Sequence, residues 1–354
     1  MRTLAEKLGV TTATISLALR SHPSISKATR ERVTQLANQW NYRPDPAIAA
    51  IASRHWSCET PKRHRVIAFL HRRDSIHATF LSGARDRAAD LGYKIEPIHL
   101  EEYPNAEALS RVLYARGIRG VIVAPIQDPR SRLELDLEWG KFTAVCCGVG
   151  RVHPPLHVVN IDVFAATRKV WKVVAEAGFQ RIGAAINCHT PVSEDDWQRI
   201  GASSAAIQIL GLESAESIPF LVCPPSDEKA LIRWYHRYQP EVIVGFNSST
   251  GEMLRNNGIR IPEDVSFISL KTPIHSDWSG IVDQCDEVGR RSVEILNHEI
   301  RENRWGLPTY PNITLIESKW NLGSTFRGES FRALSKKPVP APRGQDGELI
   351  EAAG

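Results

Sequence analysis

Six cysteines in 354 residues stand without a CxxC pair or a spaced Cys/His quartet, so neither a disulfide framework nor a zinc site is expected. Cys146 and Cys147 are adjacent, in a run that reads as a buried strand. No apolar run approaches the length of a membrane span, and the longest, such as Val66 to Leu70, are strand-sized. The N-terminus lacks the long apolar core of an export signal, so the chain is expected in the cytoplasm, with no membrane partner. Also missing are the GxSxG, HExxH, P-loop and GxGxxG patterns. Despite twelve histidines and forty carboxylates, the chain does not read as an enzyme, and no cofactor or metal is expected.

What is present is unevenly distributed. Residues 1–65 carry eleven Lys/Arg against four Asp/Glu, a balance of +7, which leaves −3 for the other 289 residues of a chain whose net charge is +4. A basic head on a slightly acidic body is the footprint of a module that meets a polyanion. A solvated basic surface would show the same charge.

The head has a pattern of its own. Leu4, Ala5 and Leu8 recur at helical spacing, Gly9 can supply a positive φ for a tight turn, and Ile15 and Leu19 begin a second apolar stripe. This is a helix-turn-helix pattern, with Thr11 placed to cap the second helix. Thr12, Ala13, Ser16, Leu17 and Arg20 fall on the face that the core residues leave free. Short hydroxyls and small apolar groups let a helix approach base edges closely. A third helix is expected after Ser26 as its cap, with Val33, Leu36, Ala37 and Trp40 facing inward. A helical hairpin that binds nothing would share the helix pattern.

Next comes "RPDPAIAAIASRHW". Asp45 can cap, Pro46 suits a first helical turn, and Ala47 to Ser53 can form a helix too short to be stable alone in water. A plain inter-domain linker is the competing reading, although it would leave Ile48 and Ile51 on a polar connection. From Arg65 onward, strand-sized runs ("VIAFL", "KIEPIHL", "VIVAPI") alternate with helical patterns. A second set begins near Ile161 ("RIGAAIN", "PFLVC", "EVIVGF", "VSFISL"). This alternation predicts two doubly wound α/β lobes with parallel sheets covered on both faces. Ligands in such sheets sit beyond the carboxyl ends of the strands, here the cleft between the lobes.

"LAEKLGVTTATISLALRSHPSISKATRERV" followed by "NYRPDPAIAAIA" resembles the headpiece and hinge of the lac-repressor (LacI/GalR) family of bacterial transcription regulators. "NNGIRIPEDVSFISL", "GIVDQCDEVGRRSVEIL" and "LGST" resemble that family's effector-binding core, which is itself similar to periplasmic sugar-binding proteins. The resemblance implies an α/β protein with a three-helix helix-turn-helix headpiece (1–44) and a hinge helix and linker (45–58). A two-lobed core of periplasmic-binding-protein-like architecture (59–327) would follow. Lobe 1 would span about 65–159 plus 280–310, and lobe 2 about 160–279 plus 311–327, with crossings near Asn160, Ser279 and Pro311. The tail, 328–354, is Pro-, Gly- and charge-rich and reads as disordered. It lacks the leucine heptads of a coiled coil, which makes a homodimer the simpler expectation.

By the same resemblance, Thr12, Ala13 and Leu17 read bases in the major groove of a double-stranded DNA operator, with Arg20 the long polar donor nearby. Thr11, Ser16, Ser26, Thr29 and Tyr42 would hold phosphates. Paired hinge helices would enter the minor groove, with Ile48 against its dimer mate and Ile51 wedged into a base step. The family's first helix is capped a few residues earlier by Val-Thr or Val-Ser, whereas Met1 here already stands inside it. Either Met1 is not the true start or the first helix frays, a missing cap costing about 1 kcal/mol of local stability.

Candidate effector-binding residues at strand ends are Arg72, Asp74, Gln127, Asp162, Asn187, Trp197, Arg199, Asn247 and Lys271. Asp162 and Arg199 match family positions that hold effector hydroxyls. Lys271 departs from the Asp usual there, and a cation beside Arg199 would favour a carboxylate or phosphate on the ligand. Trp197 is either a platform for a sugar face or plain core, and Lys271 either lines the cleft or points into solvent. The function implied is a dimeric DNA-binding repressor modulated by a sugar or sugar acid. The alternatives are an effector-independent regulator and a two-lobed sugar-binding protein.

Overall fold

The computed structural model describes residues 2–19, 25–39, 65–73, 78–125, 133–148, 152–187, 189, 192–212, 218–224 and 227–328. The hinge (45–58), Trp40 and the tail beyond 328 lie outside the described residues. So do Arg20, Tyr42, Ile48, Ile51, Asp74 and Gln127.

Three short helices open the chain: α1 (Arg2–Leu8), α2 (Thr12–Leu19) and α3 (Lys27–Gln39). Their facing sides bury Leu4, Ala5, Ile15, Ala18 and Val33, with Leu8, Val10, Leu19, Ile25 and Leu36 packed around them. The inward stripes read from helical spacing are therefore the ones that meet.

The first lobe is built on β1 (Arg65–His71), β2 (Tyr93–His99), β3 (Gly120–Val123), β5 (Thr143–Cys147), β7 (His157–Ile161) and β13 (Ile313–Ile316). These form one sheet in the order β13-β7-β5-β3-β1-β2, and every pairing in it is parallel. A two-residue pair, β4 (Leu133–Glu134) with β6 (Val152–His153), lies outside it. Period-two geometry sends Ile67 and Phe69 of β1 to one face and Ala68 and Leu70 to the other, and all four are buried. A strand covered on both faces reads as an unbroken apolar run, which is why "VIAFL" shows no alternation. One face is covered by α4 (Ala78–Asp90) and α10 (Cys285–Arg301), the other by α5 (Ala106–Ala115). Helices α4 and α10 approach so closely that a Cβ at Gly83 would lie 1.8 Å from the Asp286 carbonyl oxygen, and one at Gly289 would lie 2.0 Å from that of Phe80.

The second lobe's sheet runs β14-β12-β11-β10-β8-β9. Its strands are β8 (Ile182–Asn187), β9 (Leu221–Cys223), β10 (Val242–Gly245), β11 (Ser266–Thr272), β12 (Gly280–Val282) and β14 (Trp320–Asn321). Only β14 is antiparallel to its neighbour. Helix α6 (Val163–Glu176), with Val170 and Trp171, and α7 (Glu194–Ile209) cover one face. The other face is covered by α8 (Glu228–Tyr238) and α9 (Ser248–Asn256), with Trp234 and Leu254 packed on Ile243 and Phe267.

The chain passes between the sheets three times: after β7, between β12 and α10, and between β13 and β14. Two of these lie further along than the expected crossings. Gly280–Val282 pairs with β11 in the second sheet, so the chain leaves that lobe after Val282 rather than near Ser279. Ile313–Ile316 pairs with β7 in the first sheet, so the last crossing follows Ile316 rather than Pro311. In both places the strand completes its own ladder before the chain crosses.

Candidate functional site

Two regions can be built from the residues upward. In the headpiece, Gly9 takes φ +65°, a value costly for any residue with a Cβ. The Val10 amide then donates to the Ala5 carbonyl (3.0 Å), and the chain turns into α2. Thr11 caps that helix: its Oγ1 accepts from the Thr14 amide at 3.1 Å and lies 2.9 Å from Thr14 Oγ1. Ser26 caps α3 in the same way, accepting from the Thr29 amide at 3.3 Å, with Thr29 Oγ1 2.8 Å away. Three of the expected phosphate holders thus stand at helix N-termini, where backbone amides and the helix dipole favour an anion. Thr12 is exposed and Leu17 half-buried, and Ala13 and Ser16 lie in α2 between them.

The second region is a cavity of about 730 Å³ between the lobes, at the carboxyl ends of their strands. The first lobe contributes Thr79, Phe80, Pro125 and Gly148. The second contributes His189, Ser193, Asp195, Arg199, Phe246, Asn247 and Lys271. The crossing segments add Asn160, Ile161, Asp283 and Cys285.

Arg199 is held in place from several sides. Its Nη2 donates to Asp196 Oδ1 at 2.7 Å, its Nη1 is 4.0 Å from Asp195 Oδ2, and its guanidinium lies 4.5 Å from the centre of the Phe246 ring. Asp196 is fully buried, and it also accepts from the Ser193 amide (2.8 Å) and from the amide and Nδ1 of His189 (3.0 Å each). Burial alone would raise its carboxyl. The hydrogen bonds from Ser193 and His189 more than offset that and hold it at about 2. Neighbouring Asp195 goes the other way: desolvation dominates and raises its carboxyl, against the opposing pull of Arg199. Lys271, next to the end of β11, pairs through Nζ with Asp283 Oδ2 at 3.1 Å. Desolvation pulls its ammonium down, but Asp283, with Cys285 and Asp195, carries the net shift upward.

Of the strand-end candidates, Arg199, Asn247 and Lys271 line the cavity. The others are placed differently. Arg72 turns to Glu101, 3.7 Å away. Asp162 caps α6, its Oδ1 accepting from the Ala165 amide at 2.8 Å, while Asn160, Ile161 and Val163 around it face the cavity. Trp197 is 68% exposed, neither core nor cavity wall. The buried stripe of α7 is Asp196, Arg199, Ala202, Ser203 and Ala206, an inversion of the usual apolar stripe that leaves the Trp outside. Asn187 closes β8. Lys271 lines the cleft, but its charge is already matched, which removes the reason given for a ligand carboxylate or phosphate.

Sequence reasoning missed Asp195, His189, Phe246, Asp283 and Cys285. Asp195 was findable, since it stands four residues before Arg199 on a helix and so shares its face. Asp283 carried no local signal, because it meets Lys271 only across two strands. Among the described residues no three His, Cys, Asp or Glu side chains are grouped to hold a metal. No helix there is long and apolar enough to cross a membrane.

Comparison with known proteins bears on both regions. Residues 1–45 match the family model "Bacterial regulatory proteins, lacI family", as the resemblance of the opening stretch implied. The HTH-type transcriptional regulator DegA of Bacillus subtilis (strain 168) is 23% identical over 288 residues, covering 78% of this chain and 82% of DegA. Solved structures of similar fold include the transcriptional regulator CelR–cellobiose complex, at 17% identity and a TM-score of 0.52 over 91% of this chain and 98% of that one. The Lac repressor bound to ONPG in the repressed state matches at 15% identity and a TM-score of 0.54, over the same shares of the two chains. Transcription regulator CcpA of Lactococcus lactis matches at 15% and 0.52, over 75% of this chain and all of CcpA. The similarity to solved structures bears out the α/β architecture expected: two parallel-sheet lobes behind a helical headpiece.

Proposed function

We propose that this chain is a ligand-responsive transcription regulator of the lacI family, a cytoplasmic repressor that binds a pseudo-palindromic DNA operator as a homodimer. The observation that carries the reading is the headpiece. A glycine turn joins two helices over a shared apolar core, and it presents Thr11, Thr12, Ser26 and Thr29 at helix starts within the 45 residues that match the family model. In this reading Thr12, Ala13, Leu17 and Arg20 meet base edges, while Thr11, Ser16, Ser26, Thr29 and Tyr42 hold phosphates. Residues 45–58 serve as the hinge, with Ile48 at the dimer contact and Ile51 as the minor-groove wedge. The domain division is headpiece 1–44, hinge 45–58, two-lobed core to 327 and tail.

The effector, a small sugar or sugar derivative, occupies the interlobe cavity. Its volume falls in the range of ordinary small-molecule sites, and the CelR and Lac repressor structures of similar fold hold cellobiose and ONPG. The mechanism is linkage. A ligand that binds one arrangement of the lobes better than the other shifts the population and changes the spacing of the two hinges, and with it the DNA affinity. No bond is made or broken.

The test is selection from a random duplex library with the full-length chain, followed by affinity for the winning sequence across a salt series. A two-fold symmetric site with a steep salt slope is expected. Failure to enrich any site would overturn the reading. Within it, Ile51→Ala should weaken specific binding far more than non-specific binding, and equal losses on both DNAs would sink the wedge.

A further inference from the structure

The charges that line the interlobe cavity cancel. Among the described lining residues, Lys271 and Arg199 are balanced by Asp283 and Asp195, and Asp196 behind Arg199 adds a further negative charge. Each cation already has a carboxylate partner. Arg199 is committed to Asp196 and stacked on Phe246. Lys271 is met by Asp283, which is fixed at both ends. Its carboxylate accepts from Cys285 Sγ at 2.9 Å, and its amide donates to the Thr272 carbonyl at 2.9 Å. A ligand anion finds no uncompensated cation at either place, since Asp283 stands 3.1 Å from Lys271 and Asp195 4.0 Å from Arg199.

The remaining lining is of two kinds. Asn247, Ser248 and Ser193 are neutral hydrogen-bonding groups, and Phe80, Pro125, Ile161, Val163, Ile274 and Ile281 form apolar wall. Behind that lining, Asp195 Oδ1 and Arg199 Nε are buried without hydrogen-bond partners, one an acceptor and the other a donor. A ligand hydroxyl can donate or accept among the neutral lining groups, whereas a ligand carboxylate near Asp195 is repelled by it.

We infer that Asp283 is the specificity-determining residue of this cavity: by occupying Lys271, it makes the site reject anions and accept an uncharged, hydroxyl-bearing ligand with an apolar flank. The inference rests on the cavity being the effector site. Lys271 and Asp283 then work as an attraction cancelled in advance, a device that discriminates by what it withholds.

The experiment is calorimetry and thermal shift on the full chain with matched probes: neutral hexoses, their phenyl glycosides, the corresponding uronic acids and hexose 6-phosphates. On the wild type, neutral members should bind about tenfold or more tighter than their acids, a difference of about 1.4 kcal/mol that like-charge repulsion readily supplies, with phenyl glycosides ahead of free sugars. Asp283→Asn should free Lys271, reduce or reverse that preference and create affinity for inorganic phosphate. Adding Lys271→Met should abolish the new anion affinity. Wild-type preference for an acid over its neutral counterpart, or an unchanged preference in Asp283→Asn, overturns the inference and leaves the effector reading standing. Absence of any binding to either chain removes the effector reading and the inference together, while operator binding stands on its own test.

Discussion

Replacing Asp196 by asparagine should be among the most damaging single-atom exchanges in the second lobe. The carboxylate is fully buried and receives Arg199 Nη2, the Ser193 amide and both the amide and Nδ1 of His189. An asparagine keeps one acceptor oxygen but turns an NH2 toward donors at the other position, and it leaves the buried Arg199 without its counter-ion. Breaking a buried pair from one side costs about 3–5 kcal/mol, which for a lobe of this size lowers the melting temperature by roughly 6–20 °C. The pH dependence gives an independent check. The folded carboxyl sits at about 2, below its ordinary 3.8. Its stabilisation is therefore fully present above pH 4 and is lost as pH falls toward 2, and the lowered value is worth about 2 to 3 kcal/mol at neutral pH. Urea unfolding of wild type and Asp196→Asn at pH 7 and at steps down to pH 3 would measure both effects. The gap should be widest at neutral pH and begin to narrow below pH 4. A gap under about 1 kcal/mol at pH 7, or one independent of pH, would refute the account.

Other consequences are equally direct. Gly83→Ala puts a Cβ 1.8 Å from the Asp286 carbonyl oxygen, so α4 and α10 must separate. Urea unfolding should show a loss of about 3 kcal/mol, and an unchanged midpoint would mean the two helices are not in contact in solution. Thr11→Ala and Ser26→Ala each remove a helix cap and should cost about 1 kcal/mol of local stability. Amide exchange in the first turns of α2 and α3 should accelerate accordingly, and unchanged protection there would argue against the caps.

Much of the fold was legible because its causes are local. Buried parallel strands announce themselves as short apolar runs, and each of the seven quoted runs contains a strand, as does the Cys146–Cys147 run. The headpiece followed from spacing alone: Gly9 adopts the positive φ its position asked for, and Leu4, Ala5, Ile15 and Val33 meet as their periodicity required. The cavity was legible in location but not in chemistry. Apolar periodicity says nothing useful of a helix such as α7, which buries an aspartate and an arginine and exposes a tryptophan.

By itself, then, the sequence determined the headpiece helices, the quoted strand runs, the basic charge of the head and the interlobe position of the cavity. Those properties depend on residues one to four positions apart, or on simple sums. Only the tertiary structure decided that Lys271 faces Asp283, that Asp162 serves as a helix cap, and that the chain crosses after Val282 and Ile316 rather than earlier. Electrostatic partners are chosen by the order of strands in a sheet and the packing of one lobe on another, where residues far apart in the chain are brought within a few ångströms.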